Sequence, residues 1–285
     1  MPVRPRCCRR QPNLAGQPQS YAPTVVETLH LFCLAGLAVF TLVTVVWLAS
    51  LYLQNAAIID IFWGLGFVML SWIYFLGTQE GYLPRKLLIC GMTLVWGLRL
   101  SFYIYRRNRS RPEDYRYRAW RAAAGTDWWW QSYFKVFLLQ GLLMWIISTP
   151  LLVAQAAATP ARLTWLDFAG LGLWVFGFTF EALADWQLQR FKAVPVNQGR
   201  VLRQGLWRYT RHPNYFGDAV QWWAFYLPAA STGAYWAIFS PAIMTFLLRR
   251  VSGVRLLEKN LVQTKPEYQE YMRSTNAFFP WRPHR

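Results

Sequence analysis

The run "LHLFCLAGLAVFTLVTVVWLASLYL", residues 29–53, holds 25 consecutive residues without a single Asp, Glu, Lys or Arg. A helix needs about 20 predominantly apolar residues to cross the hydrocarbon of a bilayer. Inside the membrane the chain has to satisfy its own backbone groups, which leaves helices or a closed barrel. Further apolar runs follow, giving spans at roughly 28–53, 56–77, 87–105, 134–157, 163–187, 215–230 and 234–250. The expected fold is therefore an all-α integral membrane protein with about seven transmembrane helices. The last two runs are separated only by "AASTGA", so they could also form one hairpin that does not fully cross. Charged residues make up 15% of the 285, well below the roughly 25% of a soluble domain. Aromatic clusters such as "DWWWQSY" and "QWWAFY" near the span ends suit the headgroup level.

Residues 1–27 read as a disordered tail. It has no apolar stretch between its charges and no cleavage site, so the first helix is expected to be the anchor. Of four cysteines, Cys7 and Cys8 lie in this tail, and Cys33 and Cys90 lie in apolar runs; their spacing suggests neither a disulfide framework nor a metal site.

The formal charge of +17 is unevenly placed. Segments 106–135, 188–212 and 249–285 carry 22 of the 30 Lys and Arg residues. With seven spans and an outside N-terminus they share one side, which the positive-inside rule makes cytoplasmic. The four arginines of the tail oppose this assignment and are outnumbered. Anionic lipid is one partner for such a surface. Nucleic acid is not expected, because no groove-reading module accompanies the charge. A phosphorylated ligand is favoured by segment 188–212, which has six basic residues and no acid and runs into "RYTRHPNYFGD", with its His, Asn and Tyr.

Four acids fall within or at the edge of spans: Asp60, Glu181, Asp185 and Asp218. Ionisable groups at membrane depth are costly and face a polar interior or one another. Glu181 and Asp185 lie four residues apart on one helix face, and Lys192 follows two turns later on that face. Arg99, mid-span on the third helix, is expected to pair with one of these acids. Asp60 would sit about one turn, roughly 6 Å, below the cytoplasmic surface. Desolvated there, it could stay protonated and donate a hydrogen bond to a substrate carbonyl. Trp63, Gly64 and Phe67 share its helix face and would form an apolar slot with one polar anchor.

Together "DIFWGLGF", "RNRSRPEDYRYRAWR", "GLWRYTRHPNYFGDAVQWW" and "YQEYMRSTNAFFPW" resemble the membrane-bound steroid 5-alpha-reductase family. The nearer likeness is to its bacterial reductase-like branch, formerly a domain of unknown function, DUF1295. The likeness covers about residues 30–282. "RHPNYFGD" by itself is shared with isoprenylcysteine and phospholipid methyltransferases and with sterol reductases. The resemblance implies a seven-helix bundle that binds NADPH from the cytosol and reduces a carbon–carbon double bond conjugated to a carbonyl. It places cofactor contacts on Asn108, Arg109, Arg111 and Pro112 and on the pair Glu181 and Asp185, where the family has Asn first. It also places them on Tyr209, Asn214 and Asp218, and on Tyr271 or Tyr268. Two positions depart from the steroid enzymes. Ile59-Asp60 stands for Gln-Glu on the second helix, and Gly97 falls where the carbonyl-polarising tyrosine is expected, leaving Tyr103 or Tyr105 on the same helix as substitutes.

Three functions fit. In the first, an NADPH-dependent ene-reductase acts on a lipid or steroid-like substrate. Asp60 with Tyr103 or Tyr105 is catalytic, Trp63 and Phe67 hold substrate, and Arg109, Arg111, Lys192 and an arginine such as Arg208 or Arg211 hold phosphates. His212 and Tyr215 belong to the same cofactor segment. The second is an S-adenosylmethionine-dependent membrane methyltransferase, suggested by "RHPNY" and "LLEKNLVQTKPEYQEYM"; that cofactor has no phosphates to neutralise. The third is a non-enzymatic lipid-binding protein, which leaves the buried acids unexplained. His212 could equally be a loop residue before Pro213, and Asn214 a helix cap.

Overall fold

The computed structural model describes residues 25–109, 111–251 and 253–283. Most of the tail, with Cys7 and Cys8, lies outside the described residues. The described chain is all helical. Helix α1, Val25–Leu53, is the uncharged run and ends where Gln54 takes a positive φ of 51°. Asn55 then caps a short turn by accepting from the Ala57 N–H at 3.0 Å, and α2 follows as Ile59–Gly77. Helix α3, Leu83–Asn108, opens on Pro84 in its first turn, where a missing N–H costs nothing.

The next stretch is broken. The sequence led us to expect one span at 134–157; the chain instead starts its helix at Tyr115. Asp114 caps α4, Tyr115–Ala124, through the Arg116 N–H, and Gly125 closes it with φ 57°. Then come α5 (Trp128–Ser132), a π-helical turn over Tyr133–Leu138, α6 (Leu139–Ile147) and α7 (Thr149–Ala156). Helix α8, Trp165–Ala193, begins with a reciprocal capping box between Thr164 and Asp167. Helix α9 covers Pro213–Ser231. A turn through Gly233, φ 88°, leads to α10 (Phe239–Phe246), a second π-helical turn (Leu247–Val251), α11 (Val254–Thr264) and α12 (Tyr268–Ser274). Chain 215–250 is thus two helices, with Gly233 turning the chain between them.

Six helical stretches are long and apolar enough to cross a membrane: Val25–Leu53, Ala56–Gly77, Leu83–Asn108, Tyr115–Ala156, Trp165–Ala193 and Tyr235–Thr264. The remaining expected span, 215–230, is α9, about 28 Å long at 1.5 Å per residue. It is the central helix, with 12 of its 19 residues buried, Asp218, Gln221 and Trp222 among them. A helix surrounded by protein need not match lipid in polarity, which is why α9 is not among the six.

Small residues set the packing. A Cβ at Gly64 would run into the Gly97 carbonyl and a Cβ at Gly97 into the Gly64 carbonyl, so α2 and α3 touch backbone to backbone. Gly177 and Gly217 do the same for α8 and α9. Aromatic rings fill the space between these pairs: Phe67 lies 4.5 Å and Trp96 5.7 Å from the ring of Trp222. Following the chain through these helices places residues 54–58, 108–128, 193–213 and the C-terminal helices at one end of the bundle, and 78–82, 157–164 and 232–234 at the other.

Candidate functional site

At the first of these ends lies a cavity of about 360 Å³. Each wall follows from a local feature. The C-terminal turn of α3 brings Tyr103, Arg107 and Asn108, and the turn after it Arg111 and Pro112. The last two turns of α8 bring Leu188, Gln189 and Lys192, and the extended segment beyond brings Arg200 to Leu202. The start of α9 gives Asn214 and Tyr215, preceded by Arg211 and His212. Helices α11 and α12 close it with Leu257, Leu261, Lys265, Tyr268 and Tyr271.

The cations of this wall fall into two groups. Arg211 and Arg116 are neutralised. Arg211 Nε donates to Glu258 Oε1 at 2.7 Å and its Nη1 reaches the Met272 and Thr275 carbonyls; Arg116 Nε donates to Asp114 at 2.9 Å. Burial pushes the Asp114 carboxyl up, yet the hydrogen bonds and charge of Arg116 outweigh it and hold the group below its ordinary value. The second group, Arg107, Arg111, Lys192, Arg200 and Lys265, forms no ion pair among the described residues. Arg107 donates to Asn108 Oδ1 and Lys265 to the Arg200 carbonyl, so neither charge meets a carboxylate at ion-pair distance. Burial depresses Lys265, with Glu267 opposing.

The "RHP" turn is a strut. His212 Nε2 lies 3.1 Å from Glu258 Oε1, and its ring stacks on Tyr215 at 5.7 Å. Burial lowers the His212 pKa, and the contact with Glu258 recovers only part of it. Tyr271 donates to the Trp207 carbonyl and Tyr268 to Glu258 at 3.4 Å; burial raises both phenols. Asn214 does not cap α9. His212 is the capping residue and makes no side-chain cap bond, while Asn214 Nδ2 donates to Asp185 Oδ1 at 3.1 Å.

Of the residues singled out from the sequence, Tyr103, Asn108, Arg111, Pro112, Lys192, Arg211, His212, Asn214, Tyr215, Tyr268 and Tyr271 line the cavity. The others do not. Tyr105 is half exposed on the outer face of α3, two residues and so about 200° round the helix from Tyr103. Arg109 is exposed where α3 ends, and Tyr209 is 43% exposed with its backbone engaged, its N–H donating to the Leu206 carbonyl and its carbonyl accepting from the Trp281 N–H. Trp63 and Phe67 form no slot: α3 closes onto Gly64, and Phe67 is fully buried against Trp96 and Trp222.

Glu181, Asp185 and Asp218 sit deeper, around Arg99 as the cost of burying that residue demanded. Arg99 Nη1 donates to Asp185 at 2.9 Å and Nη2 pairs with Glu181, which also accepts from Gln221 Nε2 at 2.7 Å. Asp60 is not a free acid. It accepts from the Tyr117 hydroxyl at 2.8 Å and lies 3.4 Å from Arg116, whose side chain separates it from the cavity. Tyr117 was missed from the sequence because it comes from α4, a helix that folds back under α2. The only signal for it was the dense Tyr and Arg alternation of "YRYR" after Asp114.

Comparison with known proteins fits this extent of fold. A family model described as a protein of unknown function (DUF1295) matches residues 46–275. The chain belongs to the DUF1295 family. It is also 28% identical over 278 aligned positions to the uncharacterized protein C594.04c of Schizosaccharomyces pombe, covering 87% of this chain and 79% of that one. No solved structure matches. The matched region takes in every helix that lines the cavity, from α3 to α12.

Proposed function

We propose that this DUF1295 protein is an NADPH-dependent membrane oxidoreductase that reduces a carbon–carbon double bond conjugated to a carbonyl in a lipid or steroid-like substrate. The observation that carries the reading is the group of five unpaired cations, Arg107, Arg111, Lys192, Arg200 and Lys265, around a cavity deep enough to continue into Tyr103, Asn214 and Tyr215. Five cations without an ion pair converging on one mouth suit a ligand with several phosphates, and arginine forks suit phosphate oxygens in particular. The aromatic and amide groups below suit a planar polar ring. The likeness to the steroid 5-alpha-reductases supports the same cofactor.

Arg111, Lys192, Arg200 and Lys265 would hold phosphates, and Asn108 and Asn214 would orient the rest. The cofactor supplies hydride. The chain's own part is positioning, exclusion of water and polarisation of the carbonyl. For the last we propose Asp60, protonated, with Tyr117 in place of Tyr105: the phenol donates to one carboxyl oxygen and holds the group in place, and the proton on the other oxygen would be donated to an oxygen that gains charge. The positive-inside rule puts the cavity on the cytoplasmic side with the N-terminus outside, since the basic segments surround its mouth.

The test is titration of the detergent-purified protein with NADPH, NADH and S-adenosylmethionine, read by tryptophan quenching and calorimetry. Saturable NADPH binding that outcompetes NADH supports the reductase. Binding of S-adenosylmethionine alone replaces it with methyl transfer. Tyr117→Phe and Asp60→Ala are expected to lower turnover with little change in NADPH affinity; full activity of Asp60→Ala refutes the polarising role.

A further inference from the structure

Beneath the cavity, α3, α8 and α9 bury three carboxylates against one guanidinium. Arg99 pairs with Glu181 and Asp185, and Asp218 lies within the field of all three. Their side chains are almost withdrawn from solvent, Glu181 and Asp185 each 4% exposed. Fully ionised, the group would carry a net charge of −2 at membrane depth. Buried like charges relieve such a cost by binding protons.

A second observation is independent of the charge count. Asp218, 7% exposed, has its Oδ1 short of a hydrogen bond at ordinary distance, although the Trp222 indole N–H acts on the carboxyl, and Gln221, fully buried, has its Oε1 without a donor while its Nε2 binds Glu181. Two buried acceptors short of donors sit beside carboxylates that become donors on protonation. A hydrogen on Asp218 or Glu181 lowers the net charge and supplies the missing donor in one step. Amide donors to Asp185 from Asn214, by contrast, leave that carboxylate well suited to staying ionised beside Arg99.

The cluster also has a way out. Tyr103 lines the cavity and its hydroxyl faces Asp185. The other charged or titratable groups that face the cluster are Arg107 of α3 and Tyr215 of α9, both on the cavity wall.

We infer that Arg99, Glu181, Asp185 and Asp218 form a proton store that holds one exchangeable proton at neutral pH and delivers it to the cavity through Tyr103. This rests on the reductase reading for its use: reduction of the double bond takes hydride from the cofactor at one carbon and one proton at the other. The Tyr103 O–H bond breaks to give that proton, the phenolate oxygen is reprotonated from the cluster, and the cluster is refilled by water from the cytoplasmic mouth. Tyr103 is then the donor and the three acids are positioning and storage residues.

The experiment is infrared difference spectroscopy of the full chain in lipid nanodiscs at pH 7, with exchange from water into deuterium oxide. The expected result is a protonated-carboxyl C=O band that shifts on exchange and is lost in Asp218→Asn or in Glu181→Gln. A band unchanged in both variants overturns the store. Tyr103→Phe is expected to keep the band and slow its exchange; unchanged exchange overturns the route. None of these readouts needs cofactor or substrate. Failure here with intact NADPH binding would therefore sink the store alone, and a lost NADPH isotherm with an intact band would sink the reductase reading.

Discussion

Two buried arginines of this protein solve the same problem in opposite ways. At the end of the bundle away from the cavity, Arg85 of α3 meets Asp167 of α8 at 2.8 Å, both side chains fully buried. Arg85 also donates to the carbonyls of Pro160 and Arg162, and Asp167 accepts from the N–H and hydroxyl of Thr164. One positive charge meets one negative charge, with further polar partners on each. Four turns along the same α3, Arg99 faces three carboxylates with acceptors short of donors around them. The balanced pair joins a helix start to its neighbour. The unbalanced cluster has charge to spare, lies against a cavity, and is where chemistry is to be sought.

The largest break in this comparison is Arg85→Met. It strands Asp167 in the interior, and removal of one partner of a buried pair costs about 3–5 kcal/mol. Thermal unfolding in detergent, followed by tryptophan fluorescence, should show a large fall in midpoint and no selective loss of ligand binding. Arg99→Met should cost less, about 1–3 kcal/mol as for buried acceptors left short of donors, because Asn214 and Gln221 still donate and the acids can take up protons. Its deficit should shrink on acidification and in combination with Glu181→Gln. An Arg99 deficit as large as that of Arg85 and independent of pH would erase the distinction.

Next comes the cavity mouth. Lys192→Glu or Arg111→Glu is expected to weaken NADPH by roughly tenfold or more, the loss of a charge-assisted hydrogen bond worth about 1.5–3 kcal/mol, with the unfolding midpoint unchanged. Steeper salt dependence of binding in the wild type than in the variant would sharpen the assignment.

The smallest effect is that of His212. Its folded pKa lies below the ordinary 6.5 because it is buried, so the unfolded chain binds the proton more readily. The stability associated with the neutral ring is full above pH 6.5 and is lost as pH falls from there through the folded pKa. A pH series of unfolding midpoints should show this decline in the wild type and a flatter profile in His212→Gln.

Much of this was legible in the amino-acid order. Apolar runs placed the helices, and the cost of a guanidinium at membrane depth foretold that Arg99 would find acids. Lys192 two turns beyond Asp185 correctly pointed at the cavity, because α8 continues as one helix. The slot expected from Trp63 and Phe67 failed for a reason visible in retrospect. Gly64 and Gly97 let α2 and α3 touch, so the face that seemed open is filled by a neighbouring backbone. Tyr105 failed because 100° of helix rotation per residue separates the cavity from the lipid-facing side.

Outside the broken stretch from Tyr115 to Ala156, the sequence by itself determined where the long apolar helices run, the end of the bundle where cations gather, and the presence of acids that need partners, since these depend on local apolar length and charge. Only the tertiary structure decided which charges cancel and which remain free. Arg211 looked like a phosphate ligand in sequence and is occupied by Glu258, while Arg200 and Lys265 were overlooked and line the cavity without an ion pair. Pairing depends on which helices lie side by side, and that is fixed by glycine contacts and aromatic packing far from the charges themselves.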